Sequence, residues 1–111
     1  MDILEERKDG LLVLCLDGRL DTVSSKTFEE KVLALVDGGE RRIVIDLSRM
    51  DYVSSSGLRV FLVASKRLTS AGGKVVFCSI QEPVKQVFDI VGFYSILSIL
   101  NSKDEALNSL R

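Results

Sequence analysis

The segment Asp46-Leu-Ser-Arg-Met-Asp-Tyr-Val-Ser-Ser-Ser-Gly-Leu58 predicts a strand that leads through a short polar turn into a helix. The apolar run Ile43-Val44-Ile45 comes before the turn, and three consecutive serines open the helix. A hydroxyl at a helix start meets unpaired backbone N–H groups and the positive end of the helix dipole. A phosphate attached there would be tolerated by the fold and would change the local charge by about −1.5 to −2. The segment therefore indicates a switch in a binding protein rather than an enzyme.

Alternating strand and helix patterns extend from this segment towards both ends of the chain. Apolar runs predict strands over residues 3–7, 11–16, 42–47, 74–80 and 95–100. Helical periodicity predicts helices after residues 21–25, over 55–71, over 83–91 and after the capping box at 102–105. An Asp9-Gly10 hairpin joins the first two strands and makes the sheet mixed. We predict one α/β domain over residues 1–111, with a mostly parallel sheet of four or five strands and helices packed mainly on one face.

Length and charge restrict the class of protein. The 111 residues suit one domain, and a hydrophobic content of 46% is sufficient for one core. Fifteen basic and sixteen acidic residues leave a formal charge of −1, which argues against a nucleic-acid partner or a polybasic membrane anchor. No apolar run approaches the roughly 20 residues of a membrane-spanning helix, and the acidic start lacks the basic region of a signal peptide. We predict a cytoplasmic protein without membrane insertion.

The residue types present offer little catalytic chemistry. The chain has no histidine, which excludes serine–histidine and cysteine–histidine catalysis within it. Asp46 and Asp51 are interpreted as solvated turn residues rather than an acid–base pair. Cys15 and Cys78 are interpreted as small buried hydrophobes, and a disulfide between them stays open because their runs could form neighbouring strands. We predict no catalytic residue, metal site or cofactor.

Several motifs together resemble stand-alone STAS domains of the anti-sigma factor antagonist type. The resemblance covers nearly the whole chain, and the combination of motifs and spacing is more specific than any one of them. The matching features are Gly18-Arg-Leu-Asp21, Ile45-Asp-Leu-Ser48, Val53-Ser-Ser-Ser-Gly-Leu58, Gly72-Gly73 and the helix over residues 83–91.

The resemblance implies a partner-switching function. In that family, the unphosphorylated protein binds an anti-sigma factor that is also a serine kinase, and this binding releases the sigma factor. The kinase phosphorylates the antagonist and breaks the complex, and a serine phosphatase resets the cycle. Carried over by position, the phosphorylated residue is Ser55. The implied partner-binding residues are Asp21, Ser54, Ser55, Ser56, Gly57 and Arg59.

Two positions depart from the family pattern. Ser54 stands where the family usually has aspartate, which makes Ser54 and Ser56 alternative targets for the kinase. Arg59 stands where glycine is common, four residues after Ser55 and on the same helical face. Its guanidinium could pair with a phosphate on Ser55 and soften the switch. A solvated surface charge and a direct partner contact are equally open for Arg59.

Two alternatives stay open beside the switch. The serines, like Asp21, could serve only as helix caps, because their side-chain oxygens accept hydrogen bonds from the first turn. STAS-like domains also occur as subunits of lipid-transport complexes and of signalling assemblies, where no phosphorylation is needed. Treatment with a kinase and ATP, followed by mass spectrometry, would separate these functions.

Overall fold

The computed structural model describes residues 1–111 and arranges them around a five-stranded sheet. The strands are β1 (Asp2–Lys8), β2 (Leu11–Leu20), β3 (Arg42–Val53), β4 (Lys74–Cys78) and β5 (Ile99–Leu100). The helices are α1 (Thr22–Asp37), α2 (Ser55–Ser70), α3 (Glu82–Ile90) and α4 (Lys103–Leu110), with a 3-10 turn over Phe93–Ser95. The predicted order of strands and helices is confirmed.

The sheet is mixed and mostly parallel, as predicted. Its spatial order is β1-β2-β3-β4-β5, with β1 antiparallel to β2 and every other neighbouring pair parallel. Asp9 and Gly10 join β1 to β2 with φ values of 55° and 79°. This left-handed backbone is the conformation that a tight two-residue hairpin requires.

The two faces of the sheet are covered unequally. Helices α1, α2 and α3 pack on one face, where four fully buried phenylalanines form the centre of the larger core. The ring of Phe61 lies 5.1 to 5.9 Å from the other three, Phe28, Phe77 and Phe88, in edge-on or tilted arrangements. Helix α4 alone covers the other face through Ala106, Leu107 and Leu110. The prediction of helices mainly on one face is confirmed.

The predicted ends of several strands were wrong. β3 continues to Val53 instead of ending at Leu47, because Met50 and Val53 are buried and the chain stays paired with β2. The pairing of β3 with β4 stops much earlier, at Asp46 and Cys78. β1 stays paired with β2 as far as Asp17, and beyond that residue β2 and β3 continue as a two-stranded extension. The strands predicted over 74–80 and 95–100 shorten to Lys74–Cys78 and Ile99–Leu100.

Cys15, Asp46 and Cys78 form one row across β2, β3 and β4. The interpretation of Asp46 as a solvated turn residue was wrong, since it is 9% exposed and accepts a hydrogen bond at 2.9 Å from the Ser48 N–H. Asp51 is exposed but also lies within β3. The cysteines are not on neighbouring strands. Two strand spacings separate their Cα atoms by roughly 10 Å, beyond disulfide reach. Both thiols are free, and only Cys78 is fully buried.

Candidate functional site

Helices α1 and α2 begin side by side at the end of the two-stranded extension. Leu20 and Val53 are the last register pair of β2 and β3, and the Ser54 N–H donates to the Leu20 carbonyl at 2.9 Å. Asp21 and Ser54 are the next residues and form the N-caps of the two helices. Because the carboxyl ends of parallel strands meet at one edge, both helix N-termini lie at the same edge of the sheet.

Asp21 and Ser54 both cap through their side chains. The Asp21 carboxylate accepts from the Ser24 N–H at 2.9 Å, and the Asp21 N–H donates to the Ser24 hydroxyl at 2.9 Å. Two hydrogen bonds to the carboxylate, from the Ser24 N–H and from the Ser24 hydroxyl at 2.9 Å, lower the pKa of Asp21. The Ser54 hydroxyl accepts from the Gly57 N–H at 3.1 Å. The capping interpretation therefore holds for these two residues, and it does not extend to the other serines.

Ser55 is the first residue of α2, and its side chain is exposed. Its hydroxyl makes no hydrogen bond with another side chain or with the backbone. Ser56 also lacks such a bond but is half-buried. Ser55 thus offers an exposed hydroxyl without a hydrogen bond at the helix start, beside Ser54, whose hydroxyl serves as the cap.

Gly57 allows the start of α2 to lie directly on the extension. A Cβ atom at this position would come within 2.7 Å of Leu20 Cδ2 and 2.9 Å of Val53 Cγ2. Distances this short are incompatible with an undisturbed core, since both contacting side chains are themselves buried. Gly57 is buried too, which gives it a packing role in positioning Ser55.

Arg59 bridges α2 to α1. Its guanidinium donates to the Glu29 carboxylate at 2.9 Å and 3.4 Å, and this pairing raises the pKa of Arg59. Arg67 and Asp37 repeat the bridge at 3.1 Å, eight residues further along each helix. The two ion pairs hold parallel, neighbouring helices. Arg59 is thus exposed but already paired.

Exposed residues that the sequence interpretation missed lie at the ends of β2 and β3 and in the first turn of α1. Arg19 and Tyr52 are register partners at the extension, and the Arg19 guanidinium lies 4.0 Å from the centre of the Tyr52 ring. Tyr52 is 39% exposed, and Val23 in the first turn of α1 is 79% exposed. Exposed apolar, aromatic and cationic groups of this kind are typical of protein-binding surfaces. Glu29, the partner of Arg59, was also missed.

We also searched the side chains for a metal site and the helices for a membrane span. No group of three or more cysteine, aspartate and glutamate residues is placed to share a metal ion. None of the helices combines the length and the apolar character that crossing a bilayer demands.

The fold is that of a single small α/β domain with a five-stranded mixed sheet and four helices. The model of the STAS domain family matches residues 2–106, and the chain belongs to that family. It is 42% identical over 106 residues to a Bordetella bronchiseptica protein provisionally described as the anti-sigma factor antagonist BtrV, covering 96% of this chain and 91% of the relative. It is 28% identical over 111 residues to the anti-sigma F factor antagonist of Paenibacillus polymyxa, covering 99% of this chain and 95% of that relative.

Solved structures show the same fold. The crystal structure of TM1081 from Thermotoga maritima superposes with a TM-score of 0.92 at 23% identity, covering 98% of this chain and 94% of that one. The anti-sigma factor antagonist SpoIIAA in its unphosphorylated form gives a TM-score of 0.74 at 18% identity, covering 97% of this chain and 96% of that one. These likenesses concern the fold alone.

Proposed function

We propose that this protein is a phosphorylation-switched anti-sigma factor antagonist. In its unphosphorylated form it binds an anti-sigma factor that is also a serine kinase, and this binding frees the sigma factor. Phosphorylation of Ser55 ends the binding, and a serine phosphatase restores it. The curated relatives named as anti-sigma factor antagonists support this type of partner. The cycle takes place in the cytoplasm, where ATP and sigma factors are found, and the protein acts by binding rather than catalysis.

The observation that carries the proposal is the exposed, unbonded hydroxyl of Ser55 at the start of α2. The kinase would transfer the terminal phosphoryl group of ATP to Ser55 Oγ. The Oγ–P bond forms, ADP leaves, and the hydroxyl proton passes to a base of the kinase. Because the side chain points outward and supports no buried group, the added phosphate leaves the core and the α2 cap intact.

Ser55 is a better target than its two neighbours. The Ser54 hydroxyl is engaged in capping Gly57, and Ser56 is half-buried. Phosphorylation of Ser54 would compete with the cap, and phosphorylation of Ser56 would require a change in packing. The family usually has aspartate at position 54, and Ser54 can cap the helix as that aspartate would, without its negative charge.

The switch is electrostatic. Bare Ser55 belongs to a surface that a partner can cover together with the exposed groups of Arg19, Val23 and Tyr52. A phosphate there adds about −1.5 to −2 charges, which binding would desolvate or place against like charges. An unpaired or repelled charge in an interface costs several kcal/mol, enough to abolish a complex of moderate affinity.

The test combines phosphorylation with partner capture. The wild type, Ser55→Ala and Ser55→Asp are used to capture proteins from the native cell, and the captured anti-sigma factor is identified by mass spectrometry. That factor is then purified and incubated with ATP and each protein. We expect one phosphate on the wild type at Ser55, none on Ser55→Ala, and loss of capture by Ser55→Asp.

Ser54→Ala and Ser56→Ala serve as matched controls and should retain phosphorylation of Ser55. Mapping of the phosphate to Ser54 or Ser56 would overturn the choice of residue. A stable complex that contains no anti-sigma factor, together with complete inertness to the kinase, would favour the non-phosphorylated STAS subunit of a lipid-transport or signalling assembly.

A further inference from the structure

Arg59 is the only charged residue between Ser55 and Ser65 in α2. Its side chain is 59% exposed, whereas that of its partner Glu29 on α1 is 23% exposed. The pair therefore lies at the surface, with the carboxylate more covered than the guanidinium. Any new anion on the first turns of α2 would meet this guanidinium before any other cation on the same helix.

The geometry of an α-helix brings Arg59 close to Ser55. Residues four apart lie on one face with Cβ atoms about 5–6 Å apart. Helical side chains lean towards the N-terminus, so the long side chain of Arg59 is able to reach the turn that begins with Ser55. A phosphate at Ser55 thus comes within reach of the same guanidinium that Glu29 holds.

The two anions are not equal competitors. The Glu29 carboxylate carries one charge, and only one of its two contacts with Arg59, at 2.9 Å, is short. A phosphoserine carries about −1.5 to −2 charges and three strong acceptor oxygens. Guanidinium binds such groups through paired, charge-assisted hydrogen bonds. The phosphate is therefore the stronger acceptor, and it belongs to the same helix as Arg59.

We infer that a phosphate on Ser55 takes the Arg59 guanidinium from Glu29. This inference rests on the proposed function and adds a second consequence of phosphorylation. The ion pair between Arg59 of α2 and Glu29 of α1 opens, and the Glu29 carboxylate is left without its partner. The modified surface then differs from the bare one on both helices, while Arg59 neutralises part of the phosphate charge.

The change stays local because the helices are held by other contacts. The ion pair between Arg67 and Asp37 lies two turns further along both helices, and Phe28 and Phe61 pack edge-on beneath them at 5.9 Å. Phosphorylation accordingly alters the surface next to Ser55 without separating α1 from α2.

The experiment uses the full chain with phosphoserine incorporated at position 55 during synthesis. Phosphorus NMR follows the second ionisation of the phosphate, and nitrogen NMR follows the Arg59 side-chain N–H. In the wild type the second pKa of the phosphate should lie below the usual value of about 6. Arg59→Ala should raise it by about half a unit, because a nearby cation favours the dianion. Glu29→Gln should lower it further by removing the competing carboxylate.

Arg67→Ala is the matched control, since it removes the other ion pair between the same two helices. It should leave the phosphate pKa unchanged. An identical phosphate pKa in the wild type and Arg59→Ala, with an Arg59 signal that does not respond to phosphorylation, would overturn the inference. Because phosphoserine is incorporated without a kinase, this result is independent of whether a cellular kinase modifies Ser55.

Discussion

Asp21 and Ser54 cap neighbouring helices from equivalent places, each one residue beyond the Leu20–Val53 register pair that ends β2 and β3. One edge of the sheet therefore carries two helix N-termini, and Ser55 lies directly beside them. A partner that covers Ser55 necessarily approaches the caps as well. The stability of the caps and the presentation of Ser55 are thus properties of the same small surface.

Loss of the Ser54 cap should destabilise the protein, while loss of the Ser55 hydroxyl should not. Ser54→Ala removes the acceptor for the Gly57 N–H and should lower the free energy of unfolding by about 1 kcal/mol. Ser55→Ala removes no hydrogen bond and should stay within about 0.5 kcal/mol of the wild type. Ser54→Asp should preserve stability, because aspartate caps well and favours a helix N-terminus. Urea denaturation measures all three; equal effects of the two alanine variants would contradict the assignment of the cap.

Gly57→Ala should destabilise the protein although alanine favours helices. The added methyl group would overlap Leu20 and Val53, at an overpacking cost of about 1–3 kcal/mol that exceeds a gain of about 1 kcal/mol in helix propensity. Ser56→Ala, one residue earlier, is the control and should be near neutral. In the double variant Gly57→Ala with Leu20→Ala, the free energy of unfolding should fall by less than the sum of the two single decreases. The shortened side chain at position 20 leaves room for the added methyl group. Strict additivity in urea denaturation would show that the methyl group does not press on Leu20.

The thiol of Cys78 predicts a specific loss of stability at high pH. Burial, reinforced by the nearby Asp46 carboxylate, raises the pKa of Cys78 to about 11 from about 9 in the unfolded chain. Below about pH 9 both states hold the proton and the thiol has no effect. Between about pH 9 and pH 11 the unfolded chain releases it first, so stability falls as the pH rises. The free energy of unfolding should therefore fall more steeply over this range in the wild type than in Cys78→Ala.

Cys15→Ala is the control for that measurement. Cys15 lies in the same row of the sheet but is only half-buried, and its pKa is raised less. Its removal should change the pH dependence by a smaller amount. If Cys78→Ala and the wild type lost stability in parallel above pH 9, the buried thiol would not be the source of the effect.

The order of elements could be predicted because each helix and most strands carry their own periodicity. The helix predicted over 55–71 is found over Ser55–Ser70, since serines start it and Gly72-Gly73 ends it. The ends of β2 and β3 could not be predicted in the same way. Register irregularities between Cys15 and Asp17, and between Gly18 and Arg19, break the simple alternation. Residues 48–53 of β3 consequently look like a polar turn in the sequence.

Some features of the candidate site could likewise be predicted from the sequence, and others depend on tertiary packing. The cap at Ser54 could be predicted from sequence because capping depends on neighbours within one turn, whereas the choice of Ser55 came from the resemblance to STAS domains. The pairing of Arg59 with Glu29 spans 30 residues and depends on how two helices pack. Contacts of this kind, like the stacking of Arg19 on Tyr52, follow from tertiary geometry. Local patterns carry no information about them.

Arg59 should narrow the difference in affinity between the bare and phosphorylated forms. By pairing with the phosphate it neutralises part of the charge that repels the partner. Arg59→Ala should therefore widen the ratio of the two affinities for the anti-sigma factor, by about 1.4- to fivefold given the usual 0.2–1 kcal/mol of an exposed ion pair. Titration calorimetry with both forms of each protein measures the ratio. Arg67→Ala lacks the equivalent ion pair two turns away and should keep the wild-type ratio. A ratio unchanged by Arg59→Ala would mean that the phosphate acts on the partner without any screening from this arginine.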